Sequence, residues 1–189
     1  MRNTRLQAMI EAAIFAVLAL ALDMFVPSIK IATISISFAM VPVFIISLRW
    51  GFKTGFLSGL IWGLLQLVFD PQIIHPLQGF IEFVVAFPFI GFAGLFKNPV
   101  QNMLNNNKKG LALVMIVFAI FVGSVARYFW HFLAGFIYWG MYAPEGMDPV
   151  FYSFTFNSIA MLGSFIACSI VLVLLIAASP RFFIQKQTM

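Results

Sequence analysis

The amino-acid sequence predicts an all-α integral membrane protein of six transmembrane helices. Three observations carry that expectation. Hydrophobic residues make up 62% of the 189 and charged residues only 9%, where a soluble domain averages roughly 45–50% and about 25%. The mean hydropathy is +1.02. The apolar residues fall into runs of bilayer-spanning length, which needs about 20 residues each, with turn residues between them.

Taken in order, the spans are read at 8–26, 36–48, 52–69, 77–96, 111–140 and 151–178, forming one transmembrane domain over 1–189. Arg2 and Arg5 precede the first, and no small-residue cleavage pattern follows it, so a retained helix is expected rather than a signal peptide. The second run is short. Before it, Pro27 and the alternation Ile31, Thr33, Ser35, Ser37 point to an extended or re-entrant segment over 26–37. The fifth, Leu111 to Gly140, would be about 45 Å long as a helix and must tilt or project beyond a hydrocarbon core of roughly 30 Å. Breaks fall at Asp70-Pro71 through Pro76, Lys97-Asn98-Pro99 through Gly110, Ala143 through Gly146, and Ser179-Pro180. Cys168 is the sole cysteine and lies inside an apolar run, which excludes an intrachain disulfide.

Lys and Arg in short loops resist translocation. With both termini cytoplasmic, Arg2, Arg5, Arg49, Lys53, Lys97, Lys108, Lys109, Arg181 and Lys186 all lie inside and only Lys30 lies in an outer loop, which sets the expected orientation. The net charge of +5 is thus accounted for by the membrane and not by nucleic acid, since the basic residues are scattered singly.

Glu82 and Arg127 lie within spans, where a charge costs about 2.5–3.5 kcal/mol on insertion scales, so each must face protein, water or a ligand. Glu82 sits roughly 8 Å inside the outer end of the fourth span, with Gln78 one turn above on the same face. Arg127, His131, Gly135 and Trp139 recur every four residues and form one stripe in the outer half of the fifth helix. Tyr152 and Asn157 enter from outside on the sixth, Asn157 about 9 Å deep. Three helices thus bring polar groups to one depth. They imply a cavity open to the outside, suited to a small aromatic cation that a carboxylate neutralises and rings stack upon, with Gly135 letting a ring approach backbone. Plainer readings exist: a Glu82–Arg127 ion pair joining two helices, an interfacial aromatic belt for Trp139, Tyr138, Tyr142 and Trp50, a helix-to-helix hydrogen bond for His131, and a solvated loop site for His75. On the first helix Ala8, Ala12 and Ala16 repeat at i+4, either for internal packing or for docking another membrane subunit.

Other classes fit less well. No phosphate-cradling G-x-x-x-x-G-K-[ST] loop occurs, and two distant histidines with one cysteine offer neither a metal-ligand cluster nor an H-E-x-x-H motif. A serine protease pairing Ser58 with His131 would have to close a gap of about 20 Å along the helix axes. A solitary secondary transporter would be expected to show internal repeats, and none is evident.

Several stretches together carry a resemblance: Val41-Pro42 through Ser47-Leu48-Arg49-Trp50-Gly51, Gly59-Leu60-Ile61-Trp62-Gly63, Gln78 through Glu82-Phe83, Ala93-Gly94-Leu95-Phe96, Tyr128-Phe129-Trp130-His131-Phe132 with Ala134-Gly135, Trp139, and Tyr152 to Asn157. Along most of its length the chain resembles the thiamine-specific substrate-binding (S) components of energy-coupling factor (ECF) transporters of prokaryotic cell membranes. The resemblance implies a six-helix bundle with thiamine bound near the outer surface by Trp62, Gln78, Glu82, Phe83, Arg127, His131, Gly135, Trp139, Tyr152 and Asn157, and no cofactor. It also implies docking through the alanine-rich first helix on a transmembrane coupling (T) subunit, two separate ATPase subunits, and a cycle of capture, toppling and release. Two positions depart from the family pattern: Thr33 stands where a ligand-stacking Trp is expected, and Phe83 where a Tyr hydroxyl is. The Asp70 to Pro76 loop is one residue shorter. Another vitamin or a pyrimidine precursor is the alternative ligand.

Overall fold

The computed structural model describes residues 4–26, 29–31 and 34–184, with side chains over 4–26 and 36–184. Thr33, like Arg2 and Lys186, lies outside the described residues. Among the described residues, five helices are long and apolar enough to cross a membrane: α1 (Thr4–Phe25), α3 (Phe52–Phe69), α4 (Pro76–Asn105), α5 (Lys109–Tyr142) and α6 (Pro149–Ala178). A sixth, α2 (Val41–Trp50), has only ten residues, about 15 Å or half a bilayer core. It stays short because it never needs to meet lipid. All of Val41 to Leu48 is buried among its neighbours, the expected place for a helix that is apolar all round.

Local chemistry sets the boundaries. Asp148 caps α6, its Oδ1 accepting from the Val150 and Phe151 amides at 2.9 and 3.0 Å, and Pro149 follows in the first turn, where its missing N–H costs nothing. His75 Nδ1 accepts from Leu77 N at 3.2 Å ahead of α4. Gly51 joins α2 to α3 at φ +95°, a left-handed conformation natural to glycine. Within the segment expected to be extended, β1 (Ile29–Ile31) and β2 (Ile34–Ile36) pair as a two-stranded antiparallel sheet, with Lys30 opposite Ser35; β2 lies on α6.

α4 is one helix with a changing pitch: π over Phe80–Ala86, 3-10 over Pro88–Phe96, and α from Lys97. Pro88 stands at the change. Without an N–H, and with its ring pressing on the turn before it, proline loosens the preceding helix. α5 likewise passes into a π segment over Gly135–Trp139.

Helices in lipid gain little from burying apolar groups, so contact distance governs their association. Along α3, Gly55, Gly59 and Gly63 face α4 at i+4 intervals: a Cβ added at Gly63 would overlap the Phe83 carbonyl oxygen, and one at Gly59 would lie 2.9 Å from Pro88 Cα. The lipid-facing side is apolar, with Val68, Val114 and Leu174 among its most exposed residues. At the end of the bundle that carries Arg49, Lys53 and Lys97, Glu11 accepts from Trp50 Nε1 at 2.7 Å and lies 3.0 Å from Arg49 Nε. Gln101 Nε2 there bonds the carbonyls of Leu48, Arg49 and Phe183. Trp50 is thereby tied into the protein, and not only into an interfacial belt.

The alanine stripe of α1 is corrected by the structure. Ala12 and Ala16 have no exposed surface and Ala8 is half-buried; the stripe faces α2 and α3, against which α1 packs. Backbones come close where side chains are small, so Ala12 and Ala16, read as part of a docking face, are taken up by packing within the chain. Ala16→Leu is therefore expected to lower the thermal midpoint in detergent by several degrees, since overpacking a filled contact costs about 1–3 kcal/mol.

Candidate ligand-binding site

At one end of the bundle α1, α3 and α5 finish while α4 and α6 begin. Between them lies a cavity of two adjoining lobes, about 360 and 680 Å³, whose common wall is Gln72, Glu82, His131, Phe156 and Asn157. The larger lobe is completed by Gly135, Trp139, Tyr142, Tyr152 and Ser153. The smaller one reaches Asp23, Ser37, Gln66, Phe83, Arg127 and Tyr128, with Asp70 exposed at its rim.

Glu82 stands on the π segment of α4. Its Oε2 accepts from Gln78 Nε2 at 2.7 Å and its Oε1 from Trp139 Nε1 at 2.9 Å. Gln78 is fully buried; it also donates to the Gln72 carbonyl at 3.1 Å and accepts from Ile74 N at 3.1 Å, bracing the 72–78 loop against the carboxylate. Both donors are neutral, so the charge itself is unbalanced. The ion pair with Arg127 does not form: among the described residues no cation lies within bridging distance of Glu82. The Arg127 guanidinium instead lies over the rings of Phe87, Trp62 and Tyr128, 4.3, 4.9 and 5.7 Å from their centroids, where quadrupoles stabilise a cation. Its Nε donates to His131 Nε2 at 3.3 Å, so the imidazole is neutral with its proton on Nδ1.

On α6, Asn157 Nδ2 donates to the carbonyl and hydroxyl oxygens of Ser153 at 2.9 and 3.2 Å, and the Ser153 hydroxyl donates to the Phe132 carbonyl. Nδ2 is held within the helix, and the amide oxygen remains for the cavity. Tyr152 packs on Phe156 at 4.5 Å, and Trp139 on Tyr142 at 5.7 Å. A carboxylate, an amide oxygen, a neutral imidazole and flat rings thus converge on one space, which suits a planar heterocycle bearing positive charge.

Comparison with known proteins agrees with this architecture. The profile of the family described as Thiamine transporter protein (Thia_YuaJ) matches residues 9–184. The chain belongs to that family. Among its relatives, the thiamine transporter ThiT of Bacillus subtilis is 40% identical over 148 residues, covering 78% of this chain and 77% of the relative. ThiT of Lacticaseibacillus paracasei is 29% identical over 189 residues, covering 98% and 94%. A solved structure of ThiT from Listeria monocytogenes superimposes with a TM-score of 0.92 at 36% identity, covering 97% of this chain and all of that one. The chain is accordingly a multi-pass membrane protein of a transport family, with the fold of an ECF S component.

Of the family positions named from sequence, the cavity gathers Glu82, Phe83, Arg127, His131, Gly135, Trp139, Tyr152 and Asn157. Gln78 supports Glu82 from behind. Trp62 is not brought to the wall: it is 1% exposed, edge-on to Phe87 at 4.6 Å and beneath Arg127. Gly135 does line the larger lobe, but the space a side chain would take is filled by Ser153, so the close approach there is between α5 and α6. Sequence reading overlooked Asp23, Ser37, Gln66 and Phe156. Asp23 could have been found by the rule that exposed Glu82, a carboxylate inside an apolar span. Gln66 could have been found from its place on α3, four residues beyond Trp62 and four before Asp70, which caps the helix.

Proposed function

We propose that this chain captures thiamine at the outer face of a prokaryotic cell membrane with high affinity, as the S subunit of an ECF importer. Its T subunit and two ATPase subunits are other chains, and the energy of ATP hydrolysis enters there. The observation that carries the reading is the Glu82 carboxylate: held by two neutral donors in a ring-lined cavity, with no cation beside it among the described residues. Thiamine brings what that site lacks, a permanent positive charge and an amino group on a flat ring.

In this reading Glu82 accepts from the amino group and offsets the positive charge. The Asn157 oxygen and His131 complete the polar edge. Trp139 fixes the carboxylate through its indole N–H while its face borders the ligand, a contact of about 0.5–2 kcal/mol. Orientation supports the same direction of transport. The basic residues Arg49, Lys53 and Lys97 lie at the end of the bundle opposite the cavity; the positive-inside rule puts that end and both termini in the cytoplasm, so the cavity meets the medium.

Calorimetry of the detergent-purified chain should show one thiamine bound per monomer, with a parallel change in Trp fluorescence. Free pyrimidine precursors and other vitamins should compete poorly. Absence of binding at millimolar thiamine, or tighter binding of another vitamin, would remove thiamine as the ligand.

A further inference from the structure

The smaller lobe carries polar groups that none of the family positions named above explains. Asp23, on α1, is half-buried, and its Oδ1 accepts from the Ser37 hydroxyl at 3.1 Å. Ser37 is itself anchored: its amide donates to Ser164 Oγ at 3.2 Å, and that hydroxyl is 3.1 Å from Tyr128 OH. The carboxylate is therefore held in place, with Oδ2 free of any bond among the described residues. Gln66, on α3, is 8% exposed and lines the same lobe, and its buried Oε1 has no hydrogen-bond donor. An orphaned buried acceptor is costly, so its persistence in a cavity wall marks a place where a ligand completes the contact. The charge balance has the same sense. Among the described residues, Asp23, Asp70 and Glu82 face this lobe against the single guanidinium of Arg127, which is already committed to aromatic faces and His131.

We infer that Asp23 and Gln66 form a second, cation-selective subsite, which receives the quaternary ring of the ligand while Glu82 holds its hydrogen-bonding ring. This deepens the thiamine reading and rests on it. A carboxylate oxygen and an amide oxygen, both unpaired and on different helices, favour an electron-poor ring that brings charge but few N–H groups. Selectivity for positive charge is then shared between Asp23 and Glu82, which line the same lobe, while affinity for the amino-bearing ring rests on Glu82.

The probes are thiamine and its neutral thiophene isostere, in which the quaternary nitrogen is replaced by carbon. In the unaltered protein thiamine should bind more tightly than the isostere. Asp23→Asn, which keeps an oxygen for the Ser37 hydroxyl, should weaken thiamine about tenfold and the isostere less than about twofold, a difference a thermodynamic cycle isolates. Gln66→Leu breaks no hydrogen bond; it should weaken thiamine by about threefold or more and the isostere less, and it carries the comparison alone if Asp23→Asn lowers the ligand-free melting temperature. Equal losses for both ligands, or no loss for either, would overturn the subsite. So would equal affinity of the unaltered protein for the two probes. Failure of the unaltered protein to bind either probe would bring down the thiamine reading itself.

Discussion

Glu82→Gln is expected to weaken thiamine binding about 100- to 1,000-fold while the ligand-free melting temperature holds or rises. The two quantities separate because the carboxylate is an asset only when occupied. Without ligand, a partly buried charge faces the cavity with neutral partners alone, and such a charge carries a desolvation cost. A neutral amide removes that cost, which offsets the loss of one of the two hydrogen bonds from Gln78 and Trp139. With ligand present, removing one member of a hydrogen-bonded charge pair costs about 2–5 kcal/mol, hence the fold-change. Calorimetry and thermal unfolding on the same preparation check both halves. A fall in stability with unaltered affinity would return Glu82 to a purely structural role.

Gly63→Val should leave little folded protein in detergent, and what remains should not bind. The contact that forbids a side chain there is with the backbone of α4, at the Phe83 carbonyl, one residue from the carboxylate. No rotamer change relieves a clash with main chain. The helices must separate, with a cost above the about 1–3 kcal/mol typical of overpacking, and α4 carries Glu82 away as it moves. Gly63→Ala should give a graded version, read by size-exclusion chromatography and melting temperature: a lower midpoint and a parallel loss of affinity. Wild-type behaviour of the valine variant would mean that α3 and α4 are not closely seated.

What was legible in the sequence follows from what lipid penalises. Glu82, His131 and Asn157 stood out because polar groups inside spans require a reason, and helical periodicity placed Arg127, His131, Gly135 and Trp139 on one stripe. Asp23 obeyed the same rule and was passed over. It sits near the end of α1, where a carboxylate also reads as interfacial, and nothing local reveals that Ser37 turns it inward. Arg127 shows the limit of pairing charges by sign: two opposite charges at one depth suggest a bridge, but a nearby cluster of ring faces competes for a guanidinium, and their placement is tertiary. The alanines of α1 were ambiguous for a related reason. In a membrane helix both the lipid face and the packed face are apolar, so residue size at i+4 spacing does not tell which neighbour is served. The brevity of α2 was visible in its run length. That it is enclosed on all sides was not.

The loosened turns at Phe80–Ala86 and Gly135–Trp139 have a bearing on how the pocket came to exist. A wide turn accommodates one residue more than a tight one, so each segment sets the angular phase of everything beyond it. The carboxylate of one helix and the indole of the other meet because both wheels are offset at the same height. Restoring regular winding on either side would swing one partner out of reach without changing a single side chain, which makes the spacing of these residues as much a part of the binding chemistry as their identity.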